Sequence, residues 1–101
     1  MNRLLLIAML SGTVALAGTA RAAGDATAGK AAVTSCNMCH GADGNGTKMG
    51  PKIAGMNPAV FIQAMNDYKS GKRDNAMMKS QTSQLTAADI ANMAAWYVSL
   101  K

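Results

Sequence analysis

The chain has 101 residues, half of them apolar, yet only four are aromatic (Phe61, Tyr68, Trp96, Tyr97); nine are Met, two Cys and one His, and ten Lys and Arg against five Asp give a formal charge of +5 with no Glu. This length holds one domain and excludes doubly wound and (β/α) barrel architectures. The low charge and ordinary apolar content exclude a disordered chain, and no period supports a collagen or a coiled coil.

At the amino end, Met1-Asn2-Arg3 leads into an uncharged stretch from Leu4 to Gly18 and then Ala20-Arg21-Ala22. A basic start, an apolar centre and an A-x-A site are the parts of a secretory leader. The apolar stretch is broken by Ser11, Gly12 and Thr13. It is also shorter than the roughly 20 residues that span a bilayer. The sequence predicts a signal peptide over 1–22, cleaved after Ala22, and one domain over 23–101. It predicts export to the periplasm, an oxidising compartment, with no stable membrane anchor once the leader is removed. Arg3 and Arg21 leave with the leader, which lowers the charge by two. No basic tract of the kind that binds nucleic acid remains.

A domain this small, with so few aromatics, has a marginal core and needs a staple. Asp25 or Thr27 can cap a first helix that runs into Cys36-Asn37-Met38-Cys39-His40, with Ala31, Ala32 and Val33 near its middle. Three chemistries compete for that motif. A redox dithiol sits where a strand meets a helix, and no strand pattern is present. Structural zinc needs four protein ligands, and the chain offers two Cys and one His. Covalent haem attachment carries the mark C-x-x-C-H, and the sequence favours it. Cys36 and Cys39 lie about one helical turn apart, so both thiols can reach one porphyrin edge, with the His40 imidazole beneath the iron. Both thiols are then consumed, so no disulfide is expected, and the porphyrin supplies the missing apolar bulk.

Gly41 to Gly46 reads as a turn-rich loop. No strand precedes it, which disfavours a phosphate loop. Asn57-Pro58 opens a second helix with Asn as cap and Pro at its first position. Phe61, Ile62, Met65 and Tyr68 share one face of it, and Gly71 is its C-cap. Thr86 and Asp89 form a capping box for the last helix, with Leu85 and Ile90 spaced as a hydrophobic staple. Ile90, Met93, Ala94 and Tyr97 make the inner stripe of that helix, widened by Trp96 and Leu100. The expectation is an all-α domain of three main helices plus short turns.

The chain has no second His, so the sixth iron position falls to methionine or stays open. Met38 lies between the cysteines and is tied too close to the same edge, Met65 and Met93 fall on apolar helix faces, and Met49 and Met56 lie in loops close after the motif. Met77 and Met78 lie in the polar stretch between the last two helices, and spacing does not choose between them.

From Ala23 to Lys101 the chain resembles class I cytochromes c of the small bacterial, monohaem sort. The resemblance rests on Gly24-Asp25, Cys36-Asn37-Met38-Cys39-His40-Gly41, Asp43-Gly44-Asn45-Gly46 and Gly50-Pro51-Lys52-Ile53-Ala54-Gly55. It continues through Tyr68-Lys69-Ser70-Gly71 and Leu85-Thr86-Ala87-Ala88-Asp89-Ile90. It implies the cytochrome c fold wrapped around one haem c. Cys36 and Cys39 then carry the thioethers, and His40 is an axial ligand. In the family the sulfur ligand lies seven residues before the leucine that opens the last helix, which puts it at Met78. Gln81 stands roughly where the family often has a further Met. The family also has the carbonyl at Pro51 accept from the second nitrogen of the histidine, and packs the last helix on the first through aromatics matching Trp96 and Tyr97.

The resemblance implies an exported one-electron carrier rather than an enzyme, with a positive potential because thioether sulfur and burial favour ferrous iron. The segment from Ile53 to Ile62, with Lys69-Ser70-Gly71, is similar to the cytochrome subunit of flavocytochrome c sulfide dehydrogenases, which accept electrons from a flavoprotein. That makes an electron-accepting subunit the alternative. A ligand-binding or peroxidatic haem protein is disfavoured, since no distal His is available. The implied partners are redox proteins such as a flavoprotein dehydrogenase or a terminal oxidase. Lys48, Lys52, Lys69, Lys72, Arg73 and Lys79 are available as a basic rim toward an acidic partner.

Overall fold

The computed structural model of the protein describes residues 24–100. The leader over 1–22 lies outside the described residues. Five helices follow in order: α1 (Ala26–Ala32), α2 (Asn37–His40), α3 (Pro58–Ser70), α4 (Ala76–Thr82) and α5 (Ala87–Ser99). Among the described residues the only β pairing is one isolated bridge, Thr47 to Gly50.

Local chemistry fixes most helix ends. The Asp25 side chain accepts from the amides of Thr27 and Ala28 and starts α1. Asn57 does the same for α3, with Pro58 next to it, and Gly71 ends α3 in the left-handed region at φ 83°. Thr86 and Asp89 close the reciprocal box at the start of α5.

Two boundaries differ from the sequence reading. Helix α1 does not run into the cysteine motif, because Val33 is its C-cap. The amides of Cys36 and Asn37 both bond the Val33 carbonyl, so a turn separates α1 from the short α2. The stretch holding Met77 and Met78 is the helix α4 rather than irregular chain. The Asn75 side chain accepts from the Met78 amide and starts it.

Helices α1 and α5 cross closely. A Cβ on Gly29 would lie 1.9 Å from the Asn92 carbonyl oxygen and 2.9 Å from Trp96 Cβ, so only glycine allows this approach. The Asp25 amide donates to Asn92 Oδ1 at 2.8 Å, and Lys30 Nζ sits 5.5 Å from the Trp96 ring centroid. The buried core is Val33, Phe61, Met65, Ile90, Met93, Ala94 and Tyr97, drawn from the end of α1 and from α3 and α5. It includes all four residues of the inner stripe expected on α5, and both methionines expected in the core.

Candidate functional site

Each wall of the site starts from a local constraint. On α2, the amides of Cys39 and His40 bond the Cys36 carbonyl, so the motif is one helical turn that presents both sulfurs and the ring together. The chain then folds back beneath that turn. The Gly46 amide donates to the His40 carbonyl at 2.8 Å, Thr47 Oγ1 donates to the Cys39 carbonyl at 2.6 Å, and the Thr47 amide donates to the Gly50 carbonyl. This loop brings Gly50 against the histidine. A Cβ there would stand 2.9 Å from the Cys39 carbonyl oxygen and 3.0 Å from His40 Nδ1 and Cε1. The next carbonyl, that of Pro51, lies 2.7 Å from His40 Nδ1. With Nδ1–H donating to it, Nε2 is the ring nitrogen left free as a ligand.

These walls enclose a cavity of about 320 Å³. Cys36, Cys39, His40 and Pro51 line one side, α3 contributes Phe61, Met65 and Tyr68, and α4 contributes Met77 and Met78. Met93 and Tyr97 of α5 close the back. His40 is buried, and both cysteines are free thiols, partly buried. Burial pushes the Cys36 thiol pKa upward, against the lowering effect of hydrogen bonding.

The two candidate sulfur ligands separate here. Met77 is 63 % exposed, at the cavity mouth. Met78 is partly buried and packs against the core. The other methionines divide as well: Met38 and Met49 are exposed, whereas Met56 packs on the core and lines the cavity. Of the six cations read as a rim, all are exposed, and two of them, Lys52 and Arg73, line the cavity. Lys69 is committed elsewhere, donating to the Leu85 carbonyl.

Several contributors were not read from the sequence. Thr82 is fully buried, and its hydroxyl is satisfied within α4 by the Met78 carbonyl at 2.8 Å, four residues back, so α4 packs with this face inward. Arg73 stacks over the Tyr68 ring with its guanidinium carbon 4.9 Å from the centroid. Asn75 carried a recognisable signal as a cap residue ahead of a helix. Thr82 carried none, since its burial depends on what packs over α4.

The donor set fits haem and not bare metal. Two thiols, one free imidazole nitrogen and a thioether sulfur converge on a largely apolar space. Among the described residues, no group of three or more His, Cys, Asp or Glu is placed to hold a metal ion, which leaves the zinc reading without a ligand set.

Known proteins resemble this arrangement. A family model described as cytochrome c oxidase, cbb3-type, subunit III, matches residues 22–96. Cytochrome c4 of Pseudomonas aeruginosa is 42% identical over 102 residues, covering 100% of this chain and 50% of that protein. The cytochrome subunit of sulfide dehydrogenase from Chlorobaculum tepidum is 33% identical over 66 residues, covering 65% of this chain and 60% of that protein. A solved cytochrome c4 structure from Acidithiobacillus ferrooxidans superposes with a TM-score of 0.70 at 30% identity, over 73% of this chain and 49% of that one. The chain thus spans about half the length of the cytochromes c4 it matches. The helical fold is that of these structures, and haem c, covalently bound, is the cofactor the family implies. The protein belongs to the cytochrome c family.

Proposed function

We propose that the protein is a monohaem c-type cytochrome that carries single electrons in a periplasmic chain. The observation that carries this reading is the convergence of Cys36, Cys39, His40 and Met78 on one apolar cavity. In it, Cys36 and Cys39 would hold the haem as thioethers, and His40 and Met78 would supply the nitrogen and sulfur ligands to its iron. When bound, the haem supplies one-electron cycling between ferrous and ferric iron.

The chain's own residues set the conditions for that cycling. The Pro51 carbonyl holds the His40 ring in one tautomer and one plane, so the nitrogen ligand has no freedom to swing between oxidation states. The Thr82 hydroxyl bonds the Met78 carbonyl within α4, and the burial of Thr82 holds that face of the helix inward. Phe61, Met65, Met93 and Tyr97 exclude water from the inner wall, which disfavours the extra charge of ferric iron and raises the potential. Replacing Met78 tests the assignment. In Met78→Ala, the ferric sulfur-to-iron charge-transfer band disappears and the midpoint potential falls, whereas Met77→Ala keeps both. A band that survives Met78→Ala removes Met78 from the site.

Electrons enter and leave at the cavity mouth, where Met49 and Met77 are exposed and Lys52 and Arg73 supply positive charge. This combination suits redox protein partners with an acidic docking face, a flavoprotein dehydrogenase or a terminal oxidase among them. The similarity to a sulfide dehydrogenase cytochrome subunit supports a second reading, an electron-accepting subunit that is not itself catalytic. Co-purification separates the two: a stable complex with a flavoprotein supports the subunit, a free cytochrome the carrier.

The leader pattern over 1–22 supports export with cleavage after Ala22, leaving the single domain 23–101 in the periplasm. No helix among the described residues is long and apolar enough to cross a membrane. Mass spectrometry of the purified protein tests this through its amino terminus.

A further inference from the structure

Tyr97 is 1 % exposed, and its Oη is buried without a hydrogen-bond partner. Buried hydroxyls are nearly always paired, so an orphan at the back of a functional cavity needs an explanation. Packing leaves the ring little freedom. It stands 5.5 Å from the Phe61 ring, centroid to centroid, and a Cβ on Gly44 would come within 3.2 Å of its Cδ1 and Cε1. The Tyr97 carbonyl is tied to the Gly55 amide at 2.8 Å. The ring therefore has little freedom, and the motif is its neighbour: Tyr97 and Cys36 line the same cavity and are close enough for their side chains to interact. The two side chains also perturb one another. Burial first, and then the neighbouring Cys36, push the phenol pKa well above its usual range, while Tyr97 is among the groups that lower the Cys36 thiol against its burial.

A free thiol and a phenol can each donate, so neither is obliged to accept. A thioether can only accept. When the Cys36 sulfur bonds a vinyl carbon and its hydrogen ends on the adjoining vinyl carbon, the balance of donors at this spot changes by one. The phenol is then the donor facing an acceptor.

We propose that Tyr97 is a positioning residue whose Oη–H donates to the Cys36 thioether sulfur, fixing that edge of the haem and drawing electron density from it. The inference rests on the reading of Cys36 as an attachment site. Less electron density on the porphyrin edge favours ferrous iron, so the contact raises the potential.

The test uses the holoprotein and resonance Raman spectra of the ferrous form, which report the thioether carbon–sulfur stretch. In the wild type that band shifts when the protein is equilibrated in deuterated water, because the donor becomes O–D. In Tyr97→Phe the isotope sensitivity is lost and the midpoint potential moves down, while the low-spin spectrum and the methionine charge-transfer band persist. A purely packing role for Tyr97 predicts no isotope shift in the wild type, and that result overturns the proposal even if Tyr97→Phe fails to fold. Equal potentials in the wild type and a folded Tyr97→Phe overturn it as well. Failure of the underlying reading looks different: peptide mass mapping would then find Cys36 unmodified.

Discussion

The α1–α5 crossing and the cavity wall are built from the same short chain by opposite means. The crossing is closed, with buried Gly29 set directly against the Asn92 backbone and Trp96. The wall is a set of short pieces that face a space of about 320 Å³: α2 with the loop to Pro51 bonded beneath it, and α4. Helices of four and seven residues are too short to be stable alone; α1, also of seven, has α5 against it at the crossing, whereas α2 and α4 border the cavity. The wall therefore depends on what fills the cavity, and the crossing depends on itself. A small domain can put its stability into one tight seam and leave the rest to a prosthetic group.

That contrast can be broken experimentally. The largest effect is expected from Cys36→Ala/Cys39→Ala, which prevents attachment: the haem-free chain should lose most far-UV helical signal and show no cooperative thermal transition. A cooperative transition in that variant would mean the wall stands unaided. Next is Gly29→Val in the holoprotein, which drives a side chain into the Asn92 carbonyl. It should cost about 3 kcal/mol by denaturant titration, with the haem spectrum of the surviving folded fraction unchanged. Gly50→Ala acts on the wall instead, pushing the loop off the His40 ring. About 1–2 kcal/mol is expected, together with a raised potential as the Pro51 contact loosens and the imidazole becomes a weaker donor, a pairing that Gly29→Val should not show. Thr86→Ala removes half of the α5 capping box, for about 1 kcal/mol. Met77→Ala, at an exposed position, should stay within about 0.5 kcal/mol of the wild type.

The same division explains what was legible in the sequence. Caps are local, so Asp25, Asn57-Pro58, Gly71 and the Thr86–Asp89 box could be read from neighbours a few positions apart, and the structure has all of them. The stripe on α5 was legible from its period. The break after Ala32 was not, because Val33 gives no stop signal and the turn is made by amides reaching back to its carbonyl. Helix α4 was hidden by its polar composition, although Asn75 marked its start. Met77 and Met78 are adjacent and so differ by about 100° around that helix. Which of them faces inward is decided by how α4 docks, with Thr82 beneath it, and no spacing within the segment encodes that.

The crossing also bears on the attachment point. The bond between the Asp25 amide and Asn92 spans 67 positions, so it exists only when the last helix is docked. The cysteines follow closely on α1, whereas Tyr97, which packs near Cys36, arrives with the last helix. While α5 is undocked, the sulfurs are open to solvent and reactive. Once it docks, Cys36 is partly buried and its thiol is harder to ionise. The folded chain thus guards its own attachment point, and the thiols are easiest to modify in a chain whose last helix is not yet docked.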